Sequence, residues 1–352
     1  MSVKYKLLRG KSAPRGQNPS HQVSVLVPRL ILWFIVGTAL LLPWLYDTPI
    51  SLFYKFLAHS KFYRFSGFET LETVFFYSVV EGSYTKRFIR APSRRIDVRE
   101  PKSADSKFGP NNPRWPRMRR PSRRLGEMLT YVAPLLTLDF TLIKKYAGVP
   151  VEHIRRVGGY SPAVIGQDGD ISASFLRPTF HNFTLASPLQ LWRPLPTDAP
   201  SSRRIVLELI ISFFIYDALF FFIHIAFHRL PYLASIHKPH HRHGEMNPQV
   251  TNQLSIAERL SLILLANFAL NIIKSHVLTR SIFVPIFVYL LIEVHSGLDL
   301  DWGYDKVLPR GWGAGARKHA KHHREGNAGF QQFFCWWDNG LELWDGIFEK
   351  KD

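Results

Sequence analysis

Cysteine is almost missing from this chain, with Cys335 as the single one among 352 residues. One thiol excludes a disulfide within the chain, and it excludes a zinc or iron–sulfur site built from several cysteines. A metal bound here must therefore be held by nitrogen and oxygen ligands.

Acidic residues are also scarce, since 27 Asp and Glu face 45 Lys and Arg and leave a formal net charge of +18. The cations lie in blocks beside apolar segments. Residues 1–29 carry six Lys and Arg and no acid, and residues 86–124 carry fourteen against three acids, a net charge of +11. A module that reads nucleic acid does not accompany them. We therefore expect contact with an anionic membrane surface, and no nucleic-acid partner.

Long apolar segments are present and predict an all-α fold, an integral-membrane helical bundle. The first, residues 30–46, has a long basic lead and favours an anchored span over a cleaved signal peptide. A weaker candidate at 128–143 contains Pro134 and Asp139. The other clear segments are residues 205–223, 260–273 and 281–294.

Histidine is concentrated in two short stretches. The segment "HIAFHRLPYLASIHKPHHRHGE", residues 224–245, holds six of the fifteen histidines, and "RKHAKHHREGN" begins at Arg317. The spacings are HxxxH once and HxxHH twice, so each group makes one face if its segment is helical. The histidines with this spacing are His224 and His228, then His237, His240 and His241, then His319, His322 and His323.

The topology predicts that these stretches meet. Only seven residues join the segments 260–273 and 281–294, so the two should form a helical hairpin that begins and ends on one side of the membrane. The hairpin tip carries Lys274 and Arg280, which the positive-inside rule would not place on the far side, and each arm is short for a full crossing.

Eight neutral imidazoles exceed the four ligands of a tetrahedral zinc site and suit two metal ions with a position left open. Imidazole is a ligand for iron, zinc, copper and nickel, and an iron pair that binds dioxygen is the chemically useful case. A divalent-metal transporter is the alternative from another class, because intramembrane histidines also line ion pathways. Transport ligands usually lie within the spans, whereas these histidines lie at their ends.

One acid near the ligands has a specific candidate role. Asp217 lies seven residues before His224 on the same helical stripe, where it either accepts a second ring N–H or packs between helices. Glu258, Glu293 and Asp299 are weaker candidates.

The motif order, with "HR" at residues 228–229, "IHKPHH", "HHREGNAGF" and "WWDNGLELWDGIF", resembles the fatty acid hydroxylase/sterol desaturase superfamily of integral-membrane di-iron enzymes over residues 205–349. The stretch "HSGLDLDW" from His295 is most similar to the methylsterol monooxygenase and sterol hydroxylase branch. Leu298 stands where that branch has tyrosine, and "GIFEK" replaces its usual ending, which weakens any choice of substrate.

The resemblance implies hydroxylation of an unactivated C–H bond of a sterol-like lipid, with desaturation of a sterol or acyl chain as the alternative. It implies two iron ions, dioxygen, and electrons from NAD(P)H through cytochrome b5 or a reductase. It also implies a multi-pass protein of the endoplasmic reticulum membrane with its active site facing the cytosol. The implied ligands are the eight histidines above and His295, while His243 and His276 are set aside.

The corresponding domain prediction has three parts. Residues 1–29 form a basic cytosolic segment, residues 30–200 a membrane-anchoring region with the basic loop 86–124, and residues 201–352 a fatty acid hydroxylase-like catalytic domain.

Overall fold

The computed structural model describes residues 19–99, 121–141, 189–193, 195–242, 245–326 and 328–348. Across those ranges the chain is helical, and its only β-type pairings are three isolated bridges. The predicted all-α class is confirmed. Most of the basic segment 1–29 and residues 100–120 of the basic loop lie outside the described residues.

Thirteen α-helices occur within the described ranges. They are α1 (Pro19–Leu41), α2 (Trp44–His59), α3 (Lys61–Arg64), α4 (Phe68–Arg90), α5 (Ile96–Arg99), α6 (Pro121–Thr141), α7 (Ser202–Arg229), α8 (Pro231–His241), α9 (Ile256–Ile272), α10 (Val277–His295), α11 (Tyr304–Val307), α12 (Gly315–Glu325) and α13 (Trp336–Phe348). Single 3-10 turns cover Pro92–Arg94 and Val250–Asn252.

Helices α7 and α10, with 28 and 19 residues, are long and apolar enough to cross a membrane. The predicted span over residues 30–46 is not one helix, because α1 and α2 meet at 92° and form a broken span or a re-entrant loop. Pro43 precedes α2 and explains the break, since proline has no backbone N–H to continue the hydrogen bonds of α1.

Helices α9 and α10 form the predicted hairpin, with a shorter connection than the sequence indicated. Residues 273–276 join them, and Lys274 turns the chain with a φ of 53°. Ser275 N donates to Leu270 O at 2.9 Å, which closes the turn. Helix α9 has 17 residues. Its length of about 26 Å falls short of a typical hydrocarbon core.

The cation that argued against a hairpin is neutralised inside the fold. Arg280 is buried in the first turn of α10, and its Nε and Nη2 lie 2.9 and 2.7 Å from the two carboxylate oxygens of Glu69 on α4. Arg193 Nη1 donates to Glu69 Oε1 at 2.8 Å. Arg280 is therefore part of a buried ion-pair network. The positive-inside rule concerns charges in loops and so does not apply to it.

The core lies between α7, α9 and α10. It contains stacked rings such as Phe213 and Phe283, whose centroids are 4.4 Å apart, and it includes the fully buried Phe333. Helix α4 packs along α10, with Tyr84, Phe88, Val288 and Ile292 in a second apolar cluster. These contacts fix the ends of α7 and α10 beside α8 and α12, where the histidines lie.

Candidate metal centre

All nine histidines proposed as ligands come together in two adjoining groups. Each histidine offers one ring nitrogen, and within a group all of these nitrogens lie within 4.8 Å of one another. The first histidine cluster consists of His224, His228, His237, His241 and His322. The second histidine cluster consists of His240, His295, His319 and His323.

The two HxxHH motifs are divided between the clusters in opposite ways. On α8 the i, i+4 pair His237 and His241 serves the first cluster, and His240 serves the second. On α12 the i, i+4 pair His319 and His323 serves the second cluster, and His322 serves the first. Each short helix therefore contributes to both clusters. The ends of α7 and α10 supply the remaining histidines, two from α7 and one from α10.

The spacing of the nitrogens matches the edges of a coordination polyhedron. In the first cluster, His224 Nε2 lies 3.1 Å from Nε2 of both His237 and His322 and 3.3 Å from that of His228. In the second, His295 Nε2 lies 3.2 Å from that of His240 and 2.9 Å from that of His319. Nitrogens about 2.05 Å from one ion, at angles of 90–110°, are about 2.9–3.4 Å apart.

The tautomers of two rings require a cation between them. His224 Nδ1 donates to Phe330 O at 2.6 Å, and His322 Nδ1 donates to Ala328 O at 2.9 Å. A carbonyl oxygen only accepts, so both rings carry their proton on Nδ1 and present an Nε2 lone pair. These lone pairs face each other at 3.1 Å and have no hydrogen to share. A metal ion satisfies both, so the residues fit the metal that the spacing predicts.

Burial keeps the rings in the neutral form that binds metal. Loss of solvation lowers the pKa of His237 to about 4. Loss of solvation, with repulsion from His237 and His228, lowers the pKa of His241 to about 3. The same cause, followed by repulsion between neighbouring imidazoles, holds the pKa of His319 and His323 well below the usual value. The clusters therefore offer lone pairs without first losing protons at neutral pH.

Glu258 is the carboxylate that the sequence ranked too low. Its Oε1 accepts a hydrogen bond from His237 Nδ1 at 2.6 Å, and both side chains are buried. This bond holds the ring with Nε2 toward the first histidine cluster. The signal was the stretch Ser255-Ile-Ala-Glu258, because Ser255 Oγ caps α9 at Glu258 N and thereby sets the acid in the first turn after the histidine-rich segment.

Asp217 is buried near the site but does not bond to an imidazole. Its Oδ1 accepts from Phe333 N at 2.9 Å, and its Oδ2 accepts from Gln331 Nε2. Seven helical residues correspond to about 10 Å along the axis, too far for contact with His224. Asp338 accepts from the backbone N–H groups of Phe330 and Gln331, both at 2.9 Å. The two carboxylates thus hold the segment whose Phe330 carbonyl orients His224.

The other candidate acids and the excluded histidines have separate roles. Glu293 accepts from Tyr304 N at 2.8 Å, and Asp299 pairs with Arg99. His276 caps α10, because its Nδ1 accepts from Leu278 N at 3.0 Å at the hairpin tip, away from both clusters. His243 lies outside the described residues.

Comparison with known proteins identifies the region that carries the clusters. Residues 209–342 match the fatty acid hydroxylase family model. The cholesterol 25-hydroxylase of Rattus norvegicus is 30% identical over 148 residues, which are 42% of this chain and 50% of the relative. The cholesterol 25-hydroxylase of Homo sapiens is 29% identical over 42% of this chain and 54% of the relative.

A methylsterol monooxygenase of Aspergillus fumigatus is 31% identical over 147 residues, which are 40% of this chain and 47% of the relative. The chain thus spans about half the length of the curated relatives it matches. No solved structure matches it. The resemblance seen in the histidine motifs is confirmed over this region: residues 209–342 match the fatty acid hydroxylase family model, and the relatives named for cholesterol 25-hydroxylase and methylsterol monooxygenase are similar to about 40% of the chain.

Proposed function

We propose that this protein is a membrane-bound oxidoreductase that hydroxylates an unactivated C–H bond of a sterol-like lipid. The observation that carries the proposal is the convergence of nine histidine nitrogens, one from each ring, into two adjoining groups with metal-ligand spacing. A single tetrahedral zinc ion takes four ligands, whereas five and four nitrogens in separate groups suit a metal pair.

The first histidine cluster would hold one iron ion and the second histidine cluster the other. When bound, the iron pair supplies the activation of dioxygen and the oxidation of the C–H bond. The overall reaction consumes the substrate R–H, one O2, two electrons and two protons, and it gives R–OH and water. We assign the electrons to NAD(P)H, delivered through cytochrome b5 or a reductase.

The chain's own residues orient the ligands and keep water out. Glu258 and the carbonyl of Phe330 hold His237 and His224 from behind. Phenylalanine side chains pack against these two imidazoles. Phe227 stacks on His237 with ring centroids 5.5 Å apart, and the ring centroids of Phe220 and His224 are 4.9 Å apart. An apolar wall of this kind limits solvent around a strongly oxidising centre.

An apolar substrate would reach the site from the bilayer. Helix α7 ends in His224 and His228, and its outer surface exposes large apolar side chains, among them Leu207, Ile210 and Phe222, which is 58% exposed. The relatives named for cholesterol and methylsterols support a sterol-like lipid before an acyl chain.

We assign catalysis to residues 201–352 and membrane attachment to residues 30–200, in the endoplasmic reticulum membrane with the clusters on the cytosolic side. The basic blocks before the first apolar segment and in residues 86–124 support this orientation, because cytosolic segments of membrane proteins are enriched in Lys and Arg.

The test combines metal counting with lipid analysis. We expect the purified protein in detergent to bind two iron ions per chain, and cells that express it to accumulate a hydroxylated lipid. His240→Ala and His323→Ala should abolish the product while the protein still inserts, since insertion depends on the apolar helices. His59→Ala, an exposed histidine of α2, is the matched control.

Three outcomes would contradict the proposal. Fewer than two metal ions in fully loaded protein would exclude the pair. An alkene product would establish desaturation. Metal-ion flux without any lipid product would establish the transporter.

A further inference from the structure

Residues 94–99, which contain α5, lie far outside the region that matches the fatty acid hydroxylase family and yet contact the segments next to the histidines of the second cluster. Their backbone pairs with the segment that follows His295. Ile96 N donates to Gly297 O at 2.9 Å, and Asp299 N donates to Arg94 O at 2.8 Å. Residues 94–99 are thus bound to the backbone two residues beyond His295, which belongs to that cluster.

The side chain of Ile96 lies in an apolar cluster with residues of α12 and of the segment after α8. These are the other two regions next to histidines of the second cluster. Ile96 is 3% exposed and packs with Met246, Val250, Ala316 and Ala320. Ala316 and Ala320 are an i, i+4 pair on α12, three residues before and one residue after His319. Met246 and Val250 belong to the segment that follows the histidines of α8. The side chain of Ile96 therefore packs with α12 and the segment after α8, while its backbone N–H binds the segment after α10.

The backbone around Ile96 leaves little room for adjustment. Gly297 has a φ of 68°, and a Cβ at that position would lie 2.1 Å from the carbonyl oxygen of Met246. The segments that follow His295 and His241 are therefore in direct backbone contact where residues 94–99 attach. A shift in Ile96 has to move these segments together.

Ion pairs extend the same attachment to α12. Asp299 Oδ2 lies 2.5 Å from Arg99 Nη1 and 3.1 Å from Arg317 Nη2, so one carboxylate joins α5 to α12. Arg94 pairs with Asp301. The arginine side chains of these pairs are 31–52% exposed, so solvent weakens the pairs. Ile96 is the buried residue of this attachment that belongs to the apolar cluster with α12.

We propose that Ile96 is a positioning residue for the second metal ion: it holds α12 and the segments after α8 and α10 in the register that gives His240, His295, His319 and His323 a common centre. The proposal rests on the two-metal function proposed above. Ile96 does not touch a histidine ring of the site; it acts through the alanines of α12 and the backbone of Gly297. The first histidine cluster is also oriented by Glu258 and the Phe330 carbonyl, so it should be affected less.

The experiment counts iron and follows its release in the full-length protein in detergent. Ile96→Ala should lower the iron content from two to one per chain, or make one of the two ions leave to a chelator about tenfold faster while the other leaves at the wild-type rate. Ile96→Val, which removes one methyl group of the contact, should retain two ions and release one of them faster than wild type, by less than in Ile96→Ala. Mössbauer spectra of 57Fe-loaded protein should show which signal is lost.

The matched control is Ile205→Ala. Ile205 is 7% exposed and packs in a different apolar cluster with Tyr54, Tyr63 and Leu278, near the hairpin tip. Its truncation should lower the thermal midpoint by a similar amount and leave two ions bound.

Equal loss of both ions in Ile96→Ala and Ile205→Ala would overturn the proposal, as would unchanged release in Ile96→Ala. If Ile96→Ala does not fold, the release curve of Ile96→Val decides: one accelerated ion supports the proposal and two unchanged ions contradict it. Failure of the wild-type protein to bind two ions would contradict the proposed function instead.

Discussion

Glu258 Oε1 and His237 Nδ1 are 2.6 Å apart, so a carboxylate at the start of α9 holds a ring at the end of α8 that faces the first histidine cluster. A carboxylate behind a metal-binding imidazole fixes its tautomer and increases its basicity. The pair also joins the hairpin to the helix that supplies ligands to both clusters.

Replacing this acid should weaken metal binding without removing a ligand. In Glu258→Gln the neutral amide accepts a weaker hydrogen bond from His237, so we expect the iron affinity of the first cluster to fall about 10- to 100-fold. Competition with a chelator would measure it. Glu325→Gln, at a surface acid 3.8 Å from Lys321, is the control and should leave the affinity unchanged. Equal affinities in all three proteins would show that Glu258 has no role at the metal.

Asp338 should be important for the same cluster by a different route. Asp338→Ala removes the acceptor of two backbone N–H groups, those of Phe330 and Gln331. Each N–H that stays buried without a partner costs about 1–3 kcal/mol. We expect a lower thermal midpoint and loss of iron from the first cluster, because the Phe330 carbonyl no longer fixes His224. Asp47→Ala, at an exposed acid of α2, should change neither quantity appreciably. Full iron content in Asp338→Ala would contradict this prediction.

The ion pair at the hairpin tip should stabilise the fold and have little effect on the metals. Arg280→Met leaves Glu69 with a single arginine, Arg193, and removes donors from Asn267 and Asn271. Breaking a buried pair in this way costs about 3–5 kcal/mol, so we expect a clearly lower denaturation midpoint in detergent. The double variant Glu69→Gln/Arg280→Met should be less stable still, since the buried Arg193 then loses its ion pair with Glu69. A single variant as stable as wild type would disprove the role of the pair.

The stability of the metal-free protein should fall in acid. The pKa of His237 is lowered by burial to about 4, against about 6.5 in an unfolded chain. A pKa that is lower in the folded state gives a contribution that is complete above pH 6.5 and is lost as the pH falls toward 4, because the unfolded chain binds the proton first. Thermal midpoints measured from pH 7.5 to 4.5 should therefore decrease. The thermal midpoint of the iron-loaded protein should begin to fall only at a lower pH than that of the metal-free protein, since bound metal competes with protons for the imidazoles. A flat profile for the metal-free protein would contradict this.

The sequence predicted which histidines come together because their spacing carries the information. The i, i+3 and i, i+4 intervals and the hairpin at 260–294 were sufficient to predict that two distant stretches meet, and the structure brings Nε2 of His224 and Nε2 of His322 to within 3.1 Å. Spacing alone could not divide the histidines between the two clusters. That division depends on how α8 and α12 are rotated against each other, which is a result of packing.

Other features depend on contacts that no local pattern encodes. Asp217 was a candidate for a direct bond because it shares a stripe with His224, but the stripe does not show that residues 331–333 cover this part of α7. The contact of Ile96 with Ala316 and Ala320 joins residues more than two hundred positions apart. The break at Pro43, by contrast, could have been predicted from proline chemistry inside residues 30–46.

The paired histidines of each HxxHH motif have a consequence for the distance between the two ions. His240 and His241 are neighbours in sequence and belong to different clusters, and so are His322 and His323. On a helix, such neighbours are separated by about 1.5 Å of rise and 100° of turn, which the backbone hydrogen bonds of the helix maintain. Two ions held by these clusters would therefore have a separation set by the pitch of two short helices, and a moving loop could not change it without unwinding one of them.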